Sequence, residues 1–168
     1  MRMKVEEVIA LLDLKPHPAE GGFFRETYRS ALAFPESALS SGSRGPHRAG
    51  TAIYYLLSDS AFSALHRLPT DEVFHFYLGS PVEMLVLESG GGGRMVTLGT
   101  DLGAGMRPQV VVPPGHWQGS RGRPGGDWAL LGTTMSPGFE FSDFEQGRRE
   151  ELVATHPAFR DEIESLTR

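Results

Sequence analysis

The residues best suited to chemistry lie in the segment FSALHRLPTDEVFHFYLG, residues 62–79. His66 and Glu72 stand six residues apart, on two strand-like runs joined by a turn at Pro69. Side chains alternate along a strand, so Glu72 shares a face with Phe74 in the second run. If both strands direct these faces inward, an imidazole and a carboxylate meet in an apolar cavity. There they could act as an acid/base pair or as metal ligands.

A carboxylate in such a cavity needs a metal, a cationic partner or a proton, because an unpaired buried charge is costly. The simpler alternative is a salt bridge between Glu72 and an arginine at the rim of the barrel. The residue pattern leaves both interpretations open.

Other side chains are expected in the same cavity. Phe24 and Glu26 alternate in the run EGGFFRETY, and Gln118 and Ser120 share a face after the turn Pro113–Gly115. A glutamine amide can bind a metal through its oxygen, or a ligand as both donor and acceptor. The predicted ligand-binding residues are Phe24, Glu26, Phe74, His75, Gln118 and Ser120.

The remaining histidines are weaker candidates. Alternation places His75 on the strand face opposite Glu72, so it reaches the cavity only if a β-bulge intervenes. His17, His47 and His156 lie in proline-flanked loops or turns. We expect these three to be solvated.

Composition narrows the class of protein. The chain has 168 residues, a net charge of −5 and no cysteine. These values predict one domain, no nucleic-acid partner, no disulfides and only nitrogen or oxygen ligands for any metal. The apolar runs are too short to span a membrane, and the first residues lack a signal-peptide pattern. We therefore expect a cytoplasmic protein.

Periodicity predicts the elements of a single domain covering residues 1–168. A short amphipathic helix is expected at about 4–13, an all-β barrel or sandwich at about 20–141, and a helical tail packed outside the sheet at about 142–167. The stretch 35–50 is a long polar loop, which could be a surface excursion or a lid over the pocket.

The segment at residues 62–79 resembles the first sequence motif of the cupin superfamily, whose members are small jelly-roll barrels. His66, Glu72 and Gly79 match the first histidine, the glutamate and the closing glycine of G-x5-H-x-H-x(3,4)-E-x6-G. Leu68 stands where the second histidine belongs. The resemblance implies a cupin jelly roll, with one of its usual metal ligands replaced by an apolar residue.

The second cupin motif, P-x-G-x-x-H, is matched by Pro113 and Gly115, with Gln118 in place of the histidine. HPAEGGFFRETYRS and SPGFEFSDFEQGRREEL are similar to the branch called cupin type 5, whose function is uncharacterised. This similarity runs from about residue 5 to 167. Any metal held by His66, Glu72 and Gln118 would be a weakly bound divalent ion.

A more distant resemblance links GGFFRET to dTDP-4-dehydrorhamnose 3,5-epimerases, metal-free cupins that abstract a proton beside a sugar ketone. Gly22, Phe24 and Glu26 fit their R-G-x-F-x-E segment, and His66 falls at their histidine base. Gly21 and Ser63 replace two of their arginines. A nucleotide diphosphate would therefore lose its charge-assisted contacts.

Three functional hypotheses follow. The chain is an isomerase- or epimerase-like enzyme for a sugar-like or keto compound, with His66 as base and Glu72 as its partner. Alternatively, it is a non-catalytic cupin that binds a small polar metabolite, or a metallo-cupin using His66, Glu72 and Gln118. The resemblance also implies a homodimer, for which the apolar runs IYYLL and MLVL would supply the surface.

Overall fold

A computed structural model describes residues 3–39 and 42–168. Its three helices are α1 (Val5–Leu11), α2 (Arg149–Thr155) and α3 (Arg160–Ser165). Its strands are β1 (Lys15–Pro16), β2 (Phe23–Arg29), β3 (Ala33–Phe34), β4 (His47–Arg48), β5 (Thr51–Ser58), β6 (Phe62–Arg67), β7 (Glu72–Gly79), β8 (Val82–Leu87), β9 (Gly93–Leu98), β10 (Gln109–Val112), β11 (Trp117–Gly122), β12 (Trp128–Met135) and β13 (Glu145–Gln146). The nine longer strands match, within about two residues, the strand-like runs that the residue pattern predicts at 23–28, 51–57, 62–68, 72–78, 82–87, 94–98, 109–112, 116–120 and 128–135.

Two antiparallel sheets form the body of the protein. The larger has the order β1-β2-β5-β12-β7-β10, and the smaller has the order β13-β6-β11-β8-β9. Strands adjacent in sequence, such as β6 and β7, lie in different sheets, as the long-range connections of a jelly roll require. The predicted cupin-like jelly roll is therefore confirmed.

The core is built in three layers because strand alternation gives both faces of each sheet an apolar surface. In β8, Met84 and Val86 pack between the two sheets, whereas Leu85 and Leu87 pack under the tail helices α2 and α3. Helix α1 covers the outer face of the larger sheet through Val8. Both ends of the chain thus cover sheet faces, as predicted for the helices.

This layering corrects one part of the dimer prediction. Every residue of the run MLVL (residues 84–87) is buried, and so are the last three residues of IYYLL (residues 53–57). These runs are central strands of a three-layer core and cannot form an outer surface.

The tail also differs from its prediction at its start. Residues 141–143 form one 3₁₀ turn, and β13 then pairs with the edge strand β6 before α2 begins at Arg149. The apolar periodicity of residues 142–148 is too short to support a helix, whereas the exposed edge of β6 offers unpaired backbone groups. Pro157 begins a 3₁₀ turn that runs directly into α3.

Part of the polar stretch 35–50 is ordered by pairing. β3 and β4 bracket it as a two-stranded ladder, and the Arg44 backbone N–H donates to Asp143 Oδ1 at 2.7 Å. Residues 40 and 41 lie outside the described residues. The lid hypothesis stays a prediction.

Within the described ranges, no helix is long and apolar enough to cross a membrane.

Candidate functional site

His66, Glu72 and Gln118 meet between the two sheets. Gln118 of β11 is the direct ladder partner of His66 in β6, and Glu72 opens β7 in the opposite sheet. The Gln118 amide nitrogen lies 2.5 Å from Glu72 Oε2 and 3.4 Å from His66 Nε2, so it can donate to both. All three are buried: His66 is 1% exposed, Glu72 is 7% exposed and Gln118 is 2% exposed. The two sequence motifs therefore converge on one buried polar cluster.

The imidazole of His66 presents a lone pair to this cluster. Its Nδ1 lies 2.8 Å from the Ala64 carbonyl oxygen, which can only accept, so the proton of the neutral ring belongs on Nδ1. Burial lowers the pKa of His66, and the nearby Glu72 opposes that effect only in part. At neutral pH the ring is uncharged and Nε2 is free to take a proton.

The carboxyl of Glu72 is shifted in the other direction. Burial, and then the charge of Glu20, raise its pKa to about 7, against the favourable effects of His66, Thr133 and the Gln118 amide. Of the two open interpretations, an arginine salt bridge does not occur: no basic side chain is paired with Glu72 among residues 3–39 and 42–168. The carboxyl is stabilised by hydrogen bonds and by retaining its proton to unusually high pH.

Sequence reasoning missed two residues of this cluster, Glu20 and His17. Glu20 Oε1 lies 3.7 Å from Nε2 of both His17 and His66, and Glu20 Oε2 accepts a hydrogen bond from Ser63 Oγ at 3.1 Å. Burial raises the pKa of Glu20. Both residues lie in a loop, where strand alternation gives no orientation. The signal available was the segment HPAEGG, in which they are the two chemically active side chains.

His17 was predicted to be solvated, and this is wrong. Its Nδ1 accepts the backbone N–H of Glu20 at 2.9 Å, and its ring packs edge-on against Phe24 with centroids 4.8 Å apart. Burial lowers its pKa. The hydrogen bond fixes the loop so that Nε2–H of the neutral ring faces Glu20.

The same prediction is wrong for His47 and His156. His47 Nε2 lies 2.6 Å from Asp143 Oδ2, and His156 Nε2 donates to the Glu88 carbonyl oxygen at 2.7 Å. Both rings are buried. A proline-flanked loop still packs its histidine inward when a buried acceptor lies within reach.

The cluster opens into a cavity of about 60 Å³. Phe24 and Glu26 lie on its wall as predicted, but the carboxylate of Glu26 is engaged by Arg29, whose guanidinium also binds Glu140. The lining residues are His17, Glu20, Phe24, Glu26, Arg29, Thr51, Ile53, Glu72, Thr133, Met135, Phe139 and Phe141. Phe74 is not among them, because it is buried in the apolar core between the sheets.

His75 does not reach the cavity. Its Nε2 contacts Thr134 Oγ1 at 2.9 Å, its Nδ1 contacts the Gln109 amide at 3.3 Å, and its ring stacks on Tyr77. The register irregularity between β7 and β12 falls beyond His75, near Leu130, so simple alternation holds at this position. His75 is therefore an outer-face residue, contrary to its inclusion among the ligand-binding residues.

Two buried polar atoms in this region lack a hydrogen-bond partner among the described residues, namely Gln118 Oε1 and Ser120 Oγ. Buried polar atoms are nearly always satisfied in folded proteins. Gln118 and Ser120 face the space between the two sheets, as do Val86 and Met84, their partners in β8. Neither is among the lining residues of the cavity, but Gln118 contacts the lining residue Glu72.

The donor set does not fit a tightly held transition metal. In the part of the chain that is described, no three His, Asp, Glu or Cys side chains have an arrangement suited to a metal ion. Leu68, at the position of the second cupin histidine, is buried. Gln118 directs its amide nitrogen, which cannot bind a metal, at both His66 and Glu72.

A larger groove of about 460 Å³ lies elsewhere, between α1 and the outer face of the larger sheet. Its lining is apolar apart from Tyr54 and Tyr77, and includes Leu11 and Trp128. It holds no acid/base pair, so the smaller cavity is the better candidate for chemistry.

Comparison with known proteins agrees with this description. The model of a family described as Cupin superfamily (DUF985) matches residues 6–147. A crystal structure of a protein from Shewanella oneidensis is 35% identical, with a TM-score of 0.87 and 99% of each chain covered. A hypothetical protein from Leishmania major is 29% identical, with a TM-score of 0.84, covering 98% of this chain and 99% of that one.

A cupin 2 conserved barrel domain protein from Rhodopseudomonas palustris shares only the fold, at 13% identity and a TM-score of 0.56, with 92% and 88% of the two chains covered. A search of curated proteins found no significant match. The family match spans most of the chain and includes both sequence motifs. The chain therefore belongs to the cupin superfamily, in the family described as DUF985.

Proposed function

We propose that this cupin is an isomerase- or epimerase-like enzyme that moves a proton on a small sugar-like or keto compound. The observation that carries the proposal is the convergence of the neutral His66 imidazole and the Glu72 carboxyl at one buried cluster. Burial shifts their pKa values in opposite directions, so that near neutral pH the His66 ring is uncharged while Glu72, with a pKa of about 7, is partly protonated. Such a pair can supply a base and an acid at the same time.

The proposed step balances without a cofactor. His66 Nε2 takes a proton from the carbon beside the carbonyl, and the C–H electron pair forms the C=C bond of an enediol. As the C=O π bond breaks, the carbonyl oxygen takes the proton of a carboxylic acid, and Glu72 is the candidate for this acid. Return of a proton to a carbon gives the isomer or epimer and restores both groups.

A second candidate function is non-catalytic binding of a small polar metabolite. The unpaired Gln118 Oε1 and Ser120 Oγ favour it, because they offer hydrogen-bonding sites whether or not a reaction follows. A weakly bound divalent metal is the third alternative. The orientation of Gln118 disfavours it, because the amide nitrogen rather than the oxygen is directed at Glu72.

Hydrogen–deuterium exchange would test the catalytic proposal. Aldoses, ketoses and keto acids of three to six carbons are incubated with the protein in D₂O, and loss of the proton beside the carbonyl is followed by NMR. We expect exchange with at least one compound. His66→Ala should lower its rate by about 10²-fold or more, the usual contribution of a general base.

The matched control is His75→Ala, which removes a histidine from the outer face of the same sheet as Glu72 and should leave the rate unchanged. His66→Gln preserves most of the side-chain volume and guards against a misfolded alanine variant. Binding without exchange would favour the metabolite-binding function, and full exchange by a folded His66 variant would exclude His66 as the base.

A further inference from the structure

The cavity is rich in hydrogen-bond acceptors and poor in donors. Gln118 Oε1 has no partner among the described residues, although its side chain is 2% exposed. Glu20 Oε1 lies 3.7 Å from two imidazole nitrogens, beyond hydrogen-bond distance from either. The Gln118 amide nitrogen donates a short hydrogen bond to Glu72 and makes only a long contact, at 3.4 Å, with His66 Nε2. A ligand entering here meets oxygen and nitrogen lone pairs.

Three donors of the cluster are already used within the protein, whereas the Nε2–H of His17 faces Glu20 at 3.7 Å without a hydrogen bond. The Gln118 amide nitrogen donates to Glu72, the Nδ1–H of His66 donates to Ala64, and Ser63 Oγ donates to Glu20. A ligand that needs to accept hydrogen bonds therefore finds few donors, whereas a ligand that donates several finds partners ready.

The charged residues that line the cavity also favour a ligand that donates hydrogen bonds. Three acids, Glu20, Glu26 and Glu72, line the cavity, against the single arginine of the lining set, Arg29. Arg29 Nη2 lies 2.9 Å from Glu26, and its Nη1 lies 2.6 Å from Glu140. A phosphate or carboxylate would thus meet carboxyl groups and a cation that is already neutralised, and binding it would be opposed.

We infer that the ligand of this cavity carries an ammonium group that binds between Glu20, Glu72 and the unpaired Gln118 oxygen. An ammonium has three donors and no acceptor, which complements the cluster, and its positive charge favours the ionised forms of Glu20 and Glu72, whose pKa values are raised by burial. The cavity holds roughly four water-sized groups, which suits a small amine. The inference rests on the proposed ligand-binding function and narrows the substrate to a small amino ketone.

A size-matched series of probes tests the charge preference. Ethanolamine, ethylene glycol and glycolate are titrated into isotopically labelled protein at constant pH and ionic strength, and the ring signals of His17 and His66 are followed by NMR. We expect saturable shifts with ethanolamine. Ethylene glycol should bind roughly five- to tenfold more weakly, since charge-assisted hydrogen bonds are about twice as strong as neutral ones. Glycolate should not shift the signals.

Variants locate the binding site of the amine. Glu20→Gln keeps the shape of the side chain and should weaken ethanolamine at least fivefold while changing ethylene glycol by less than twofold. Glu151→Gln, on the exposed face of α2, is the matched control and should change neither. Unchanged ring signals of His47 and His156 would show that the Glu20 variant is folded.

Equal or tighter binding of ethylene glycol or glycolate would overturn the amine preference. So would the absence of shifts with all three probes. The deuterium-exchange experiment then separates the two proposals, because exchange on an uncharged carbonyl compound would retain the proposed function while the ammonium site was abandoned.

Discussion

The Gln118 side-chain amide donates a hydrogen bond to Glu72 Oε2 at 2.5 Å, across the space between the two sheets. The second cupin motif, P-x-G-x-x-H, has a histidine at this position. The substitution replaces a metal ligand by a donor that holds a carboxyl group. The same amide also approaches His66, so one residue orients both members of the proposed acid/base pair.

Removing this amide should raise the pKa of Glu72 further. Its hydrogen bond favours the ionised carboxylate, so Gln118→Leu is expected to shift the apparent pKa upward from about 7. NMR titration of the labelled glutamate side-chain carboxyl measures the change. Gln109→Leu, on the outer side of the larger sheet, is the control. A pKa that stays constant or falls would contradict the assigned role of Gln118.

The raised pKa of Glu72 should make the protein less stable as pH rises. Between the ordinary value of 4.5 and about 7, the folded state keeps a proton that the unfolded state has lost. Raising the pH through this window therefore favours unfolding, by on the order of 3 kcal/mol for a single isolated group. Glu72→Gln should remove this contribution, as measured by urea unfolding at several pH values.

The histidines oppose this trend in both proteins, because burial lowers the pKa of His17 and His66 and stability then falls as pH drops below about 6.5. The difference between wild type and Glu72→Gln isolates the carboxyl. A difference that is independent of pH would argue that Glu72 titrates normally.

Gly79, the closing glycine of the first motif, is required by geometry. Its φ is +99°, and a Cβ at this position would overlap the carbonyl oxygen of Trp128 in β12. We expect Gly79→Ala to lower the free energy of unfolding by about 2–4 kcal/mol, from backbone strain and the clash together. Chemical denaturation measures this loss.

Two other glycines separate these causes. Gly125 has a φ of +84° with open space around its Cβ position, and Gly90 has open space without a positive φ. Destabilisation should decrease in the order Gly79→Ala, Gly125→Ala, Gly90→Ala. An equal effect at all three positions would contradict the proposed clash.

The buried pair His47–Asp143 should be important for stability. Its nitrogen and oxygen are 2.6 Å apart, and their side chains are 1% and 3% exposed. His47→Ala removes the partner of Asp143 Oδ2 and leaves the Arg44 N–H on Oδ1, and breaking a buried pair in this way typically costs about 3–5 kcal/mol. The exposed pair Arg148–Glu151 is the control, and Glu151→Ala should cost less than about 1 kcal/mol. Similar losses for the two variants would argue against a buried ion pair.

The homodimer stays a prediction, with a different surface from the one first expected. Exposed apolar side chains remain along the groove between α1 and the outer face of the larger sheet, at Leu11, Tyr77 and Leu78. Light scattering at micromolar concentration should give about twice the chain mass of 18.3 kDa. Leu78→Asp should shift the mass toward the monomer, whereas a wild-type mass near 18 kDa would refute dimerisation.

Much of the fold was predictable because its signals are local. Alternation located the nine longer strands and grouped the side chains of each strand by face, while leaving open whether the faces of His66 and Glu72 point inward. The resemblance to the second cupin motif brought Gln118 into the same set. Alternation placed His75 on the face opposite Glu72, where the structure has it. Its inclusion among the ligand-binding residues required a β-bulge that is absent at that position.

By itself, the amino-acid sequence determined the strand pattern, the grouping of side chains by strand face and the membership of the cupin superfamily, since each depends on residue order along one element or one motif. Tertiary structure alone decided that Glu20 and His17 join the cluster, that Gln118 binds Glu72 through nitrogen, and that MLVL is covered by helices. These features depend on loops and on contacts between sheets. A loop has no periodicity to orient its side chains, and packing partners distant in sequence meet only in the folded chain.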